Sequence, residues 1–412
     1  MKIGMIVNNM DVSGGYQKLV LRLSEQLVAK GHVVIVYTLS ANKHNCYPDL
    51  FEKVNIVSLV GKRESSTIFT TSPLQKIKER VFPFRSTVKQ FKNLSKLMCR
   101  DFQSIIIHDW QSIYGISFYK SCVKNLKILW MLNNEMPENF GSLTFKVLQL
   151  LRGGRHVKRL ILNLCTLPAL LIENLALKRG LKKIDIFATY DAFNKTQVEK
   201  RLKRIAKVVY AGADVDDFKK IYKVRTYPQK STYNVLSVGV MFPHRRYEDT
   251  INAIALLNNN DEYSVTALIV GLQTFCPEYA RELFLLRDEL QLEDKVIFKE
   301  YVSDEEMHAL YENSDAFVFV NDGLSWGISV FEAVAAGLPV VITNNIGAAD
   351  LIENGKQGWV VKARCPSQVA QSIMKIITDK NLAEERARNA YHHITSIVSW
   401  NSYAQRIIDL LE

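Results

Sequence analysis

Several familiar signatures are missing from this chain. No G-x-G-x-x-G follows its first apolar run, which argues against a dinucleotide-dependent dehydrogenase. The six cysteines (Cys46, Cys99, Cys122, Cys165, Cys276, Cys365) are scattered, with no C-x-x-C pair and no histidine at ligand spacing. They read as reduced, packed thiols and not as a metal framework. No RNA- or DNA-binding motif accompanies the basic charge, so nucleic acid is not an expected partner. There is no residue-level repeat and no low-complexity segment. Met1–Val7 is too short for a signal core and reads as a first strand, consistent with a cytoplasmic protein.

A long clean apolar run is lacking too. Leu160–Leu177 comes nearest, but Pro168 and Glu173 argue against a span. It reads either as a buried helical pair or as an interfacial element seated on the inner face of a membrane. Arg152, Arg155, Lys158 and Arg159 precede it, and Lys178, Arg179, Lys182 and Lys183 follow. Such cations meet anionic lipid at about 1 kcal/mol each.

At 412 residues the chain suits two domains, and 48% apolar with 23% charged residues is ordinary for folded protein. The net charge of +11 hides an asymmetry. Residues 1–214 hold 34 Lys+Arg against 15 Asp+Glu, and residues 215–412 hold 19 against 27. A basic first half seeks an anionic partner. Within it, residues 61–100 are strongly basic, a solvated segment or an anion-facing patch.

Strand and helix patterns alternate along the chain. Lys2–Val7, a Gly14–Gly15 turn, a helix from Tyr16 and Val33–Tyr37 form a βαβ unit. Ser104–His108 and Lys127–Leu132 read as further buried strands, so His108 and Asn133, Asn134 and Glu135 fall at strand ends, where open α/β sheets bind ligands. Ser303 with Glu306 reads as a capping box for the helix Asp304–Asn313. Asp214 and Asp216 stand two apart, a spacing open to metal binding.

The most informative stretch is Asn321–Pro339, which follows the strand Ala316–Val320 through a Gly- and Ser-containing loop into a short helix. Gly323, Ser325 and Gly327 can bring bare amides to an anion at the helix start. Glu332, one to two turns in, can accept two bonds from a ribose diol. The plainer alternative is a helix end beside a surface glutamate. Upstream, Arg245 and Arg246 offer a guanidinium clamp for a diphosphate.

Trp326, Gly327, Ile328 and Glu332 stand in the pattern of the family 4 retaining glycosyltransferases, which this chain resembles. Leu324 replaces that family's first glutamate, and Ser325 a usual glycine. The resemblance implies an α/β GT-B architecture, two doubly wound Rossmann-like domains facing a central cleft. It divides them as 1–214, acceptor-binding, and 215–397, nucleotide-sugar-binding, with a last helix about 398–412 packing back on the first. It implies transfer of a hexose from a UDP- or GDP-sugar to a saccharide acceptor, with no cofactor and no metal. The donor residues so implied are Gly14, Gly15, Arg245, Arg246, Tyr301, Asp322, Ser325, Gly327, Ile328, Ser329, Val330 and Glu332. Asp322, Glu332 and Arg245 take the catalytic roles, with Asp322 standing in for the missing glutamate. His108, Asn133, Asn134 and Glu135 face the acceptor. The hinge-like Tyr210–Phe218 weighs against a metal at Asp214 and Asp216. A non-catalytic GT-B subunit that binds a nucleotide or glycan is the alternative.

Overall fold

Among the described residues every strand pairs in parallel, as unbroken Val/Ile/Leu runs buried on both faces require. The structure is a computed structural model that describes residues 1–60, 83–119, 126–132, 167–222, 232–258, 263–274, 276–323 and 325–412. The chain forms two units. The first holds Met1–Tyr190, Asn194–Val209 and Ala404–Glu412, and the second holds Asp191–Phe193 and Tyr210–Tyr403.

The first unit is built on seven strands, β1 (Lys2–Met10), β2 (Val33–Ala41), β3 (Asn55–Val60), β4 (Ser104–Ile107), β5 (Lys127–Leu132), β6 (Ile186–Thr189) and β7 (Ala206–Val208). Their order is β3-β2-β1-β4-β5-β6-β7. The direction of winding reverses between β1 and β4, and a doubly wound sheet opens a crevice for ligands at that point. Phe91, Phe102, Tyr114 and Trp130 fill the core beside the sheet.

The helix Leu167–Lys182 packs closely on the helix Ile113–Phe118. A Cβ at Gly180 would lie 2.4 Å from Ile113 Cγ2, so only glycine lets the two approach. Pro168, read above as an interruption, falls in the first turn of this helix, where a missing N–H costs little. Glu173 is 1% exposed and accepts a 2.8 Å bond from the Tyr114 hydroxyl. No helix among the described residues is long and apolar enough to cross a membrane.

The second unit carries β8 (Thr232–Val238), β9 (Ser264–Val270), β10 (Val296–Lys299), β11 (Ala316–Phe319), β12 (Val340–Thr343) and β13 (Trp359–Val361). Their order is β10-β9-β8-β11-β12-β13, with the reversal between β8 and β11. Ser303 caps the helix Asp304–Asn313 by accepting from the Glu306 amide at 3.2 Å. The Glu306 carboxylate pairs with Lys299, so the reciprocal half of a capping box gives way to an ion pair. The carboxylates of Asp214 and Asp216 go separate ways. Trp400 Nε1 donates to Asp214 at 2.6 Å, and Lys219 pairs with Asp216 at 3.0 Å.

Candidate functional site

The loop after β11 and the turn after β8 meet at the carboxyl end of the second sheet. Gly327 takes φ 86°, which a side chain disfavours, and opens the helix Ile328–Ala335. The first amides of that helix have no intrahelical acceptor, and the macrodipole adds to their positive field. Ser329 Oγ donates to the Val238 carbonyl at 3.1 Å, tying the helix start to the end of β8. Trp326 is a packing residue here: its ring stacks on Tyr210 with centroids 5.8 Å apart and leans on Phe331. Gly347 admits it, since a Cβ there would stand 2.5 Å from the indole.

Arg245 reaches this helix start from the turn after β8. Its Nη1 donates to Ser325 Oγ at 3.3 Å, and its guanidinium lies 4.6 Å from the Phe319 ring centroid. Nε is sealed from solvent without an acceptor, and no carboxylate pairs with the group among the described residues. Burial lowers its pKa from the usual range, the mark of a cation held without its counter-ion.

Arg246 does not share this role. Its left-handed backbone, φ 48°, turns the side chain to Glu248 at 2.6 Å and Asp249 at 2.7 Å. The expected two-arginine clamp is therefore one arginine and one internally paired neighbour. Asp322 is also engaged, accepting from Arg364 Nε at 2.6 Å.

Glu332 is 7% exposed and its Oε2 accepts from the Tyr311 hydroxyl at 3.2 Å. Burial, with the Glu332 charge adding, holds the Tyr311 phenol well above its usual pKa, so it stays a donor and fixes the carboxylate. Tyr301 is 84% exposed on the turn after β10. The site thus gathers Arg245, Ser325, Gly327, Ile328, Ser329, Val330 and Glu332 on adjoining elements. Tyr311 and Arg364 were not legible in the sequence, because no local pattern links residue 311 to 332 or 364 to 322.

The first unit has its own reversal point. Gly14 caps the helix Gly15–Ala29 in extended backbone, φ −149°. Asp109 Oδ2 accepts from the Asn8 amide at 2.8 Å and the Tyr16 hydroxyl at 2.6 Å, and Oδ1 accepts from the Ser112 amide at 2.7 Å, which binds the loops together. His108 is fully buried with no partner on either ring nitrogen among the described residues. Asn133, Asn134 and Glu135 lie outside the described residues.

Burial lowers the His108 pKa to about 3. An unfolded histidine takes up a proton near pH 6.5 that the folded one refuses, so stability falls as pH drops below about 6.5, by up to about 2 kcal/mol at pH 5. Asp109 acts in the opposite sense, since burial raises its pKa and its contribution fades as pH rises. Urea titrations of the natural protein and of His108→Leu should therefore differ in pH slope, the variant losing less stability on acidification. Equal slopes would mean that His108 is charged or solvated in the folded state.

Two parallel Rossmann-like sheets, with an anion-seeking helix end at the reversal point of the second, define the GT-B class of fold. Residues 219–393, within the second unit, match the family described as glycosyl transferases group 1. Mannosylfructose-phosphate synthase from Agrobacterium fabrum is 26% identical over 181 residues, 43% of this chain and 40% of that protein. The chain thus spans less than half of that relative's length. A putative glycosyltransferase of Bacillus subtilis, YtcC, is 22% identical over 73% of this chain and 71% of its own. In structure, the Anabaena protein Alr3699/HepE, solved with UDP and glucose, aligns with a TM-score of 0.69 at 16% identity, covering 100% of this chain and 99% of that one.

Proposed function

We propose that the protein transfers a hexose from a UDP- or GDP-sugar to a hydroxyl of a saccharide acceptor, with retention of the anomeric configuration. The acceptor is lipid-linked, the site of action is the cytoplasmic face of a membrane, and the product serves glycan or cell-surface polysaccharide synthesis. The observation that carries this reading is Arg245, a buried cation without a carboxylate, bonded to Ser325 at the start of the helix that holds Glu332. A nucleoside diphosphate supplies the missing negative charge. As the glycosidic bond breaks, charge gathers on the leaving diphosphate, and Arg245 with the amides at the start of Ile328–Ala335 stabilises it. Glu332, oriented by Tyr311, accepts the ribose hydroxyls. Asp322 orients the sugar once the hydroxyls compete with Arg364 for its carboxylate. Protein groups take the place of a metal in this scheme.

The ion pair of Asp322 with Arg364 favours one second reading, a module that binds nucleotide without turnover. Calorimetric titration with UDP and with GDP, with and without metal, separates the cases when combined with a sugar-transfer assay. UDP is the first choice, given the ligand of the Anabaena relative. One nucleotide should bind without metal, and Glu332→Ala should weaken it by about 2 kcal/mol, the loss of charge-assisted bonds to a diol. Asp322→Ala should abolish transfer under the enzymatic reading while leaving nucleotide binding in place. Binding of neither nucleotide would sink both readings.

A further inference from the structure

The helix Leu167–Lys182 and the segments that follow it border an open pocket of about 420 Å³ in the first unit. Leu175, Leu181, Phe187 and Leu202 form its apolar wall. Lys178, Arg179, Lys182 and Arg204 supply four cations. None of the four has a carboxylate partner among the described residues, whereas Lys183 beside them is used up by the Ile116 and Tyr119 carbonyls.

Exposed cations alone would be an ordinary solvated face. Their apolar company is not ordinary. Leu171, Ile172 and Leu175 are 49%, 56% and 52% exposed, and Ile205, next to Arg204, is 88% exposed. The same helix buries Glu173 and Asn174. It buries Ala176 and Leu177 as well, so apolar side chains stand on both faces, and the Tyr114 bond to Glu173 fixes which of them turn outward. Positions 171, 175, 178 and 182 follow helical spacing along one stripe, apolar at its start and cationic at its end.

We infer that this face seats on an anionic bilayer. Lipid phosphates enter between Lys178, Arg179, Lys182 and Arg204, while Leu171, Ile172, Leu175 and Ile205 reach the acyl boundary. An interfacial helix of this kind needs both halves of the stripe, since a few surface cations or a few apolar side chains alone bind weakly and reversibly. The inference deepens the membrane-facing part of the proposed function and places it on the first unit, whereas the nucleotide-binding residues belong to the second.

Flotation with mixed phosphatidylcholine–phosphatidylglycerol vesicles tests it. The natural protein should float with them and not with phosphatidylcholine alone. Combined Lys178→Gln, Arg179→Gln, Lys182→Gln and Arg204→Gln should lower the affinity at least about a hundredfold, at roughly fivefold per cation. Replacing four exposed cations of the second unit instead, Lys356, Lys362, Lys375 and Arg388, should change it little. Leu171→Ser, Ile172→Ser and Leu175→Ser together should abolish the part of binding that survives high salt. Failure of the natural protein to float, or equal loss in the two cation sets, would overturn the inference. UDP and GDP titration of the first set keeps the donor site separate: nucleotide affinity should be unchanged whichever way flotation falls.

Discussion

Arg245→Met is expected to weaken nucleotide binding on the order of 30- to 1,000-fold without destabilising the empty protein. The guanidinium is buried, and among the described residues one long hydroxyl bond and the Phe319 ring face it, with no carboxylate. A cation–π contact offsets about 0.5–2 kcal/mol, less than the several kcal/mol that an unpaired buried cation loses in leaving water. Methionine removes that burden and keeps most of the apolar stem. The melting temperature of the unliganded variant should therefore stay level or rise. Nucleotide affinity should fall by about 2–4 kcal/mol, roughly 30- to 1,000-fold, because a diphosphate loses its one buried charge partner. Arg245→Lys should recover little, since a lysine has no planar fork for two phosphate oxygens. If Arg245→Met instead lowers stability and leaves affinity intact, Arg245 is a packing residue and the anion site lies elsewhere.

Gly271→Ala should do the reverse, striking stability first and binding as a consequence. A Cβ at residue 271 would stand 1.9 Å from the carbonyl oxygen of Gly239, a collision of backbone with backbone that no rotamer relieves. Both glycines close the carboxyl ends of neighbouring strands, with Gly239 donating to Val270 O and Gly271 to Lys299 O. The strands must separate or the turn must move. Overpacking of this kind costs about 3 kcal/mol, which lowers the melting temperature by about 10 °C in a unit of this size. The Gly239 carbonyl also accepts from the Tyr247 hydroxyl at 2.7 Å, anchoring the turn that presents Arg245. Nucleotide affinity should drop with stability, and Gly271→Ser should be no better. A variant with natural melting and natural affinity would show that the turn yields freely.

The two sheets were legible because buried parallel strands write themselves as short unbroken apolar runs, of which Ser104–Ile107, Ala316–Phe319 and Val340–Thr343 are the clearest. Gly327 and Glu332 were legible because the turn and helix lie within a dozen residues. The arginine pair was not. Arg245 and Arg246 look alike in the sequence, and only the left-handed backbone at Arg246 decides that one serves Asp249 while its neighbour points to Ser325. The helix Leu167–Lys182 misled for a related reason. Glu173 reads as a flaw in an apolar segment until Tyr114, 59 residues earlier, accounts for its burial. Pairings between distant residues leave no local mark, and Tyr311 with Glu332 is the third example.

The division of the helix Trp400–Leu411 bears on how the chain is made. Its last part, Ala404–Glu412, belongs with the N-terminal unit, where Lys127 Nζ donates to the Glu412 carbonyl and Lys30 Nζ to Gln405 Oε1. Residues Tyr210–Tyr403, by contrast, run continuously through the other unit. During vectorial synthesis from the N-terminus the unit begun first is therefore completed last, and the one begun second can close while its predecessor still waits for nine residues, Ala404–Glu412. Closure of the N-terminal unit therefore waits until the residues of the other unit have all been made.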